Sequence, residues 1–185
     1  NSSPAWSPDG RKLAMSLSKD GNAEIYVKDL STGAMTRLTN NAAIDTEPSW
    51  SNDGRSIVFT SGRAGRPQIY QVSALGGTAR RLTFQGGNNA GASWSPDGRQ
   101  MVLITDLGGG FKVGIYDPTG RSIRTLTNTR LDDSPSFAPN GEMILYSTVQ
   151  GGKNVLAAVS SDGSVQQTLR FDEGSVKSPA WSPSL

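Results

Sequence analysis

The sequence predicts an all-β fold, a β-propeller of four-stranded antiparallel blades, on three observations. An aromatic residue recurs at Trp6, Trp50, Trp94, Phe137 and Trp181, at intervals of 43 or 44 residues. Turn residues follow each one, as Ser7-Pro8-Asp9-Gly10, Ser51-Asn52-Asp53-Gly54, Ser95-Pro96-Asp97-Gly98, Ala138-Pro139-Asn140-Gly141 and finally Ser182-Pro183. Between copies lie short apolar runs at matching offsets, parted by turn residues, and no window keeps helical spacing. A period of this size with four short strands per copy suits propeller blades better than horseshoe or helical solenoids. One such sheet has two apolar faces, and stacking sheets covers both while shortening the exposed edges.

The repeats span residues 4–47, 48–91, 92–134 and 135–178, with a closing strand over 179–185. In the first, an innermost strand ends at Trp6 and a turn follows. There Pro8 presets φ, Asp9 can hydrogen-bond the local backbone and Gly10 takes the positive φ that ends the turn. Leu13, Met15 and Leu17 alternate with smaller or polar neighbours, Lys19-Asp20-Gly21-Asn22 breaks the chain, and Ile25-Tyr26-Val27 begins a third strand. After Ser31-Thr32-Gly33, Thr36-Arg37-Leu38-Thr39 reads as a short outer strand. Ile57-Val58-Phe59, Met101-Val102-Leu103 and Ile144-Leu145-Tyr146 take the second-strand place in the later copies. Ile69-Tyr70, Val113 to Tyr116 and Val155-Leu156-Ala157 take the third. Leu82-Thr83 and Leu126-Thr127 fall where Leu38-Thr39 falls, and Leu169 does so without its threonine. The recurring aromatic is expected to fill the wedge between neighbouring sheets, where a large flat side chain buries roughly 150–250 Å². Trp181 would start a fifth innermost strand with no sheet of its own, because Trp6 already fills that place in the first repeat. The chain therefore reads as part of a larger propeller, with a four-bladed ring or a swapped dimer as alternatives.

Composition narrows the chemistry. The 185 residues include no cysteine and no histidine, which removes thiolate chemistry, the usual general base and the commonest metal ligand. Eighteen basic and sixteen acidic residues leave a net charge of +2. Arg63, Arg66, Arg80 and Arg81 are the best candidate basic patch, yet they lack interleaved exposed aromatics, so no nucleic-acid partner is expected. Gly108-Gly109-Gly110 is followed by no Lys-Ser/Thr and reads as a hairpin tip rather than a phosphate cradle. Asp9, Asp53, Asp97 and Asn140 occur once per repeat, which marks turn formers rather than catalysts. No apolar run reaches membrane-spanning length, and Asn1-Ser2-Ser3 carries neither a starting Met nor a signal peptide, as expected of a processed or excised chain.

The repeated Pro-x-Trp-Ser-Pro-Asp-Gly, with Ile-Tyr-Val-x-Asp and Arg-x-Leu-Thr, resembles the TolB-type propeller family, a repeat shared with some prolyl peptidases. Ala23 to Leu30, Asp45 to Trp50, Ala64 to Tyr70 and Val176 to Leu185 are similar to its periplasmic Tol–Pal members, and the likeness covers the whole chain. The resemblance implies a six-bladed propeller preceded by an α/β domain, whose last strand completes a first blade absent from these residues. It also implies a non-enzymatic protein-binding scaffold in the periplasm that supports outer-membrane integrity and cell division. Its partners would be the lipoprotein Pal and other Tol or envelope proteins, with colicin translocation segments competing for the same propeller face.

That face would be built by the residues just before each innermost strand: Ser3; Asp45, Thr46 and Glu47; Gly91; Asp133 and Ser134; and Ser178. Thr46-Glu47 matches the family's Thr-Glu-Pro motif and is the first choice for polar contacts to a partner. The plainer alternative makes all of these ordinary polar loop residues at a blade edge. No cofactor is expected. Asp45, Glu47, Asp132 and Asp133 admit one Ca²⁺ in a central channel if they meet around an axis, and solvated loop acids are the simpler reading. The competing function is a regulatory propeller of a prolyl-peptidase-like hydrolase, which would need a Gly-x-Ser-x-Gly elbow that these residues lack.

Overall fold

The computed structural model describes residues 2–169 and 175–181. Among these, sixteen strands form four sheets of four antiparallel strands, with neighbours in chain order. The first sheet holds β1 (Ser2–Trp6), β2 (Lys12–Leu17), β3 (Glu24–Asp29) and β4 (Met35–Arg37). The second holds β5 (Asp45–Trp50), β6 (Ser56–Ser61), β7 (Gln68–Ser73) and β8 (Arg80–Arg81). The third holds β9 (Asn89–Trp94), β10 (Met101–Thr105), β11 (Lys112–Asp117) and β12 (Ser122–Thr125). The fourth holds β13 (Asp133–Phe137), β14 (Met143–Gln150), β15 (Lys153–Ser160) and β16 (Gln166–Leu169). Among the described residues no helix is long and apolar enough to cross a membrane.

The repeated turn is held by one hydroxyl doing several jobs. Ser7 Oγ donates to Asp9 Oδ1 at 2.6 Å and accepts the Lys12 amide at 2.8 Å, while Asp9 Oδ1 also accepts the Arg11 amide at 3.1 Å. Gly10, at φ 68°, closes the turn through its amide to the Ser7 carbonyl at 2.9 Å. Ser51 with Asp53, and Ser95 with Asp97, repeat the pattern. In the fourth copy Ala138 has no hydroxyl, and Asn140 Oδ1 accepts the Glu142 amide by itself. The serine hydrogen bonds hold the carboxyls of Asp9, Asp53 and Asp97 below their ordinary value, and hydroxyl and amide donors take Asp29 and Asp162 down to about 2. These groups contribute stability that is present above their unfolded pKa and is lost as pH falls through the folded value. Their contribution to the melting temperature is therefore expected to be lost between about pH 4 and pH 2. A calorimetric series that stays flat to about pH 2 would contradict this.

Two compact units divide the chain: residues through Phe84 together with Asn88–Trp94, and Gln85–Gly87 together with the chain from Ser95 onward. In the first, Ala14, Ile25, Val27 and Leu38 pack with Trp50, Ile57, Phe59, Tyr70 and Val72. Trp50 fills the wedge as expected, buried between two sheets with its Nε1 donating to the Ala5 carbonyl at 3.1 Å. In the second, Val102, Ile104, Val113, Ile115 and Leu126 pack with Ile144, Tyr146, Ala157 and Val159. Trp181 Nε1 there donates to the Ser136 carbonyl at 3.0 Å, the same relation one repeat apart. Trp94 Nε1 is buried without a partner among the described residues.

Two expectations change in detail. The outer strands are shorter than the sequence suggests: β4 stops at Arg37 and β8 at Arg81, so Leu38-Thr39 and Leu82-Thr83 lie beyond the strand ends. These residues turn inward and are buried. Thr39 Oγ1 accepts the Ile25 amide at 2.9 Å, Thr83 Oγ1 the Ile69 amide at 2.9 Å and Thr127 Oγ1 the Val113 amide at 3.1 Å. The Leu-Thr of the repeat is thus a buried plug that ends the sheet and satisfies a third-strand amide. Of the closing strand expected over 179–185, Pro179 to Trp181 carry no strand pairing and the last four residues lie outside the described ones.

Candidate functional site

The residue three positions before each recurring aromatic has a left-handed backbone in every copy. Ser3 has φ 55°, Glu47 54°, Gly91 61°, Ser134 52° and Ser178 49°. Four of these are not glycine, and four precede a proline, a setting that ordinarily holds the backbone extended. A left-handed non-glycine residue costs of order 1–2 kcal/mol, and at Ser3, Glu47 and Ser134 the ladder slips at the same place. Register shifts fall between Ser2 and Ala5, between Thr46 and Ser49, and between Asp133 and Ser136. Each is a bulge that re-aims the head of the innermost strand before the aromatic locks back into register, as Trp6 with Leu13, Trp50 with Ile57 and Phe137 with Ile144.

In the first unit, Glu47 is half-buried, and its Oε2 accepts the Thr60 hydroxyl at 2.7 Å and the Gly91 amide at 3.0 Å. Three of the predicted positions therefore differ in kind: Glu47 links β5 to Gly91 on β9, while Ser3 stands at the head of β1. Thr46 is half-buried and pairs with Thr60 across the ladder. Asp45, in contrast, is fully buried. Its Oδ2 accepts Arg63 Nη2 at 2.6 Å, so it braces the strand head from inside. Burial pushes its carboxyl above the ordinary value, against the pull of Arg63.

In the second unit, Asp133 is exposed and its Oδ1 accepts the Ser134 amide at 2.8 Å, and Ser178 is exposed. Asp132 is buried, with Oδ2 accepting the Val113 amide at 3.2 Å and the Thr127 hydroxyl. Sequence alone treats these acids as one set of loop carboxylates, whereas the structure turns Asp45 and Asp132 inward and leaves Asp133 outside. Among the described residues no three acids lie close enough to hold a metal ion.

The arginines of the candidate basic patch are dispersed into separate contacts. Arg63 is in the ion pair, Arg80 donates to Gln71 at 2.8 Å, and Arg81 donates to the Thr83 carbonyl at 2.6 Å and lies over the Phe84 ring. Sequence reasoning missed Glu24 altogether. It is fully buried and accepts Arg37, the Thr39 hydroxyl and the Asn41 amide. Its counterpart Gln68 accepts the Thr83 hydroxyl in the same way. The signal available was a polar residue opening each third strand opposite the Leu-Thr.

The family profile of the TolB beta propeller domain matches residues 1–185. The chain belongs to the TolB β-propeller family. It is 53% identical over 181 residues to the Tol-Pal system protein TolB of Ruthia magnifica subsp. Calyptogena magnifica, covering 98% of this chain and 43% of that relative. A Tol-Pal system protein TolB of Thioalkalivibrio sulfidiphilus is 54% identical over 79 residues, 42% of this chain and 18% of its own. The crystal structure of TolB from Acinetobacter baumannii superposes with a TM-score of 0.92 at 42% identity, over 100% of this chain and 46% of that one. The chain thus spans less than half the length of these TolB proteins. A puromycin-hydrolyzing peptidase of Mycobacterium tuberculosis also superposes, with a TM-score of 0.72 over 90% of this chain and 28% of that one, but at 19% identity that likeness concerns the fold alone.

Proposed function

We propose that this propeller is a non-enzymatic docking scaffold of the Tol–Pal system, acting in the periplasm and receiving Pal on the heads of its innermost strands. Colicin translocation segments would compete for that surface, and the interaction would support outer-membrane integrity and cell division. The observation that carries the reading is the left-handed residue repeated at Ser3, Glu47, Gly91, Ser134 and Ser178. Backbone strain kept in every copy is out of proportion to a loop that only connects strands, and strained residues concentrate where a scaffold presents groups to a ligand. Family membership supports the choice of partner, since a relative that matches 98% of this chain is a Tol-Pal system protein. A sequence without histidine or cysteine supports binding over catalysis.

Glu47 offers the partner one carboxylate oxygen, Oε1, while Oε2 remains tied to Thr60 and Gly91. Calorimetric titration of the full-length protein with Pal is expected to show Glu47→Gln weakening binding by about 1–2 kcal/mol, roughly five- to thirtyfold. Glu47→Ala is expected to cost more, because it also leaves the Gly91 amide with Thr60 as its sole partner. Full affinity in both variants would remove Glu47 from the docking surface. A wild-type protein without affinity for Pal would overturn the function itself.

A further inference from the structure

The strand head that carries Thr46 and Glu47 is weakly held by its own ladder. Asp45 pairs with Ser61 and Thr46 with Thr60, and then the register slips before Ser49. What fixes the segment from beneath is Asp45. Its amide donates to the Ala23 carbonyl at 2.8 Å, its carbonyl accepts the Ser16 hydroxyl at 2.9 Å, and its carboxylate accepts Arg63 at 2.6 Å.

Arg63 is itself held in a single pose. Its Nε donates to Ser61 Oγ at 2.8 Å, and its guanidinium lies 4.8 Å from the centre of the Tyr70 ring and 5.5 Å from that of Phe59. A planar guanidinium can stack and donate in a fixed fork at once, which a lysine ammonium cannot do. The internal repeats show that this brace is particular to one copy. At the same position in the next repeat Asn89, a neutral amide, donates to Gln68 at 2.9 Å. In the third, Asp132 is held by a backbone amide and a threonine hydroxyl. The arginine-paired acid occurs beneath the copy that displays Thr46-Glu47.

We propose that the Arg63–Asp45 pair is a latch that positions Thr46 and Glu47 for docking, with Arg63 a positioning residue that acts on the partner only through Asp45. The inference rests on the docking reading above. The charged groups that face Asp45 are Arg63 from the segment after β6 and Glu24 from β3, the latter paired with Arg37. Burial raises the Asp45 carboxyl, so acidification discharges this latch before the exposed carboxylates of the turns, whose values are lowered. Affinity at this site should then fall as the solution is acidified, and Asp45→Asn should remove that dependence.

The test is calorimetric titration of the full-length protein with Pal at about pH 7.5 and through a series of lower pH values, for wild type, Asp45→Asn, Arg63→Gln, Arg63→Lys and the double variant Asp45→Asn/Arg63→Gln. At the higher pH each single variant is expected to bind at least about tenfold more weakly, with no rescue by lysine. The double variant should lose no more than the worse single one, because the two residues act as a unit. Wild-type affinity should drop as the pH is lowered, and Asp45→Asn should show a flatter profile. Wild-type affinity in both Asp45→Asn and Arg63→Gln, additive losses, or an unchanged pH profile in Asp45→Asn would each overturn the latch. If wild type fails to bind Pal, the docking reading falls, and amide exchange decides the latch alone. Faster exchange at Thr46 and Glu47 in Asp45→Asn supports it, and unchanged exchange there rejects it. The same measurement decides the matter if Arg63→Gln does not fold.

Discussion

Trp50→Ala is expected to lose about 3–5 kcal/mol of stability, whereas Trp6→Ala should stay within about 0.5 kcal/mol. The two residues occupy the same place in consecutive copies of one motif, so local sequence gives no reason for them to differ. Trp50 is 7% exposed, packs with Ala14, Ile25, Val27 and Leu38 from one sheet and with Ile57 and Phe59 from its own, and donates to the Ala5 carbonyl. Removing its indole leaves a large cavity and takes the donor from that carbonyl. Trp6 is 64% exposed and lies outside the core cluster. Urea denaturation of the two variants side by side checks the contrast. Equal losses would mean that the recurring aromatic stabilises its own strand rather than the wedge between sheets.

Glu24→Ala should cost a similar amount, about 3–5 kcal/mol, and Glu24→Gln only about 1 kcal/mol. The carboxylate is fully buried and gathers Arg37 Nη2 at 3.1 Å, the Thr39 hydroxyl and the Asn41 amide at 2.6 Å. Truncation to alanine takes this acceptor from the buried Thr39 hydroxyl and from the Asn41 amide, and removes the carboxylate partner of Arg37, which keeps the Thr39 carbonyl and Asn40. The second repeat supplies the reason that glutamine is tolerated, because Gln68 accepts the Thr83 hydroxyl at 2.8 Å with a neutral amide oxygen. Glu24→Gln also removes one of the charges that raise the Asp45 carboxyl, so the pH at which Asp45 discharges should fall. Thermal denaturation of both variants tests the first statement, and carboxyl titration by NMR tests the second. A glutamine variant as unstable as the alanine one would show that the charge, rather than the acceptor, holds this plug.

Much of the architecture is legible because its causes are local. Pro8-Asp9-Gly10 and its copies carry their own turn chemistry, and the spacing of Trp6, Trp50, Trp94, Phe137 and Trp181 reports the repeat without any knowledge of packing. The site is legible only as a location. Asp45 and Asp133 look alike in sequence, each an acid two or fewer residues before the residue that precedes proline. One is buried and the other exposed. The difference is one of register, since Asp45 stands five residues before its aromatic, as the buried Asp132 does, and Asp133 only four; the partner that holds Asp45, Arg63, is eighteen residues away and is brought to it by the turn after β6. Glu24 escaped notice for a related reason: its partners Thr39 and Asn41 lie 15 and 17 residues away.

By itself the sequence determined the all-β class, the period, the four-strand unit and the turn that joins the first two strands of each. These follow from backbone preferences within a few residues. Tertiary structure alone decided the backbone of Ser3, Glu47, Ser134 and Ser178, where the rule for a residue before proline points to an extended chain and the observed φ is positive. The physical reason is clearest at Glu47, where a bulge in the ladder and the buried Trp50 behind it over-determine the backbone; Ser3 and Ser134 share the bulge. At Glu47, sheet pairing and wedge packing outweigh the 1–2 kcal/mol or so that the local conformation costs.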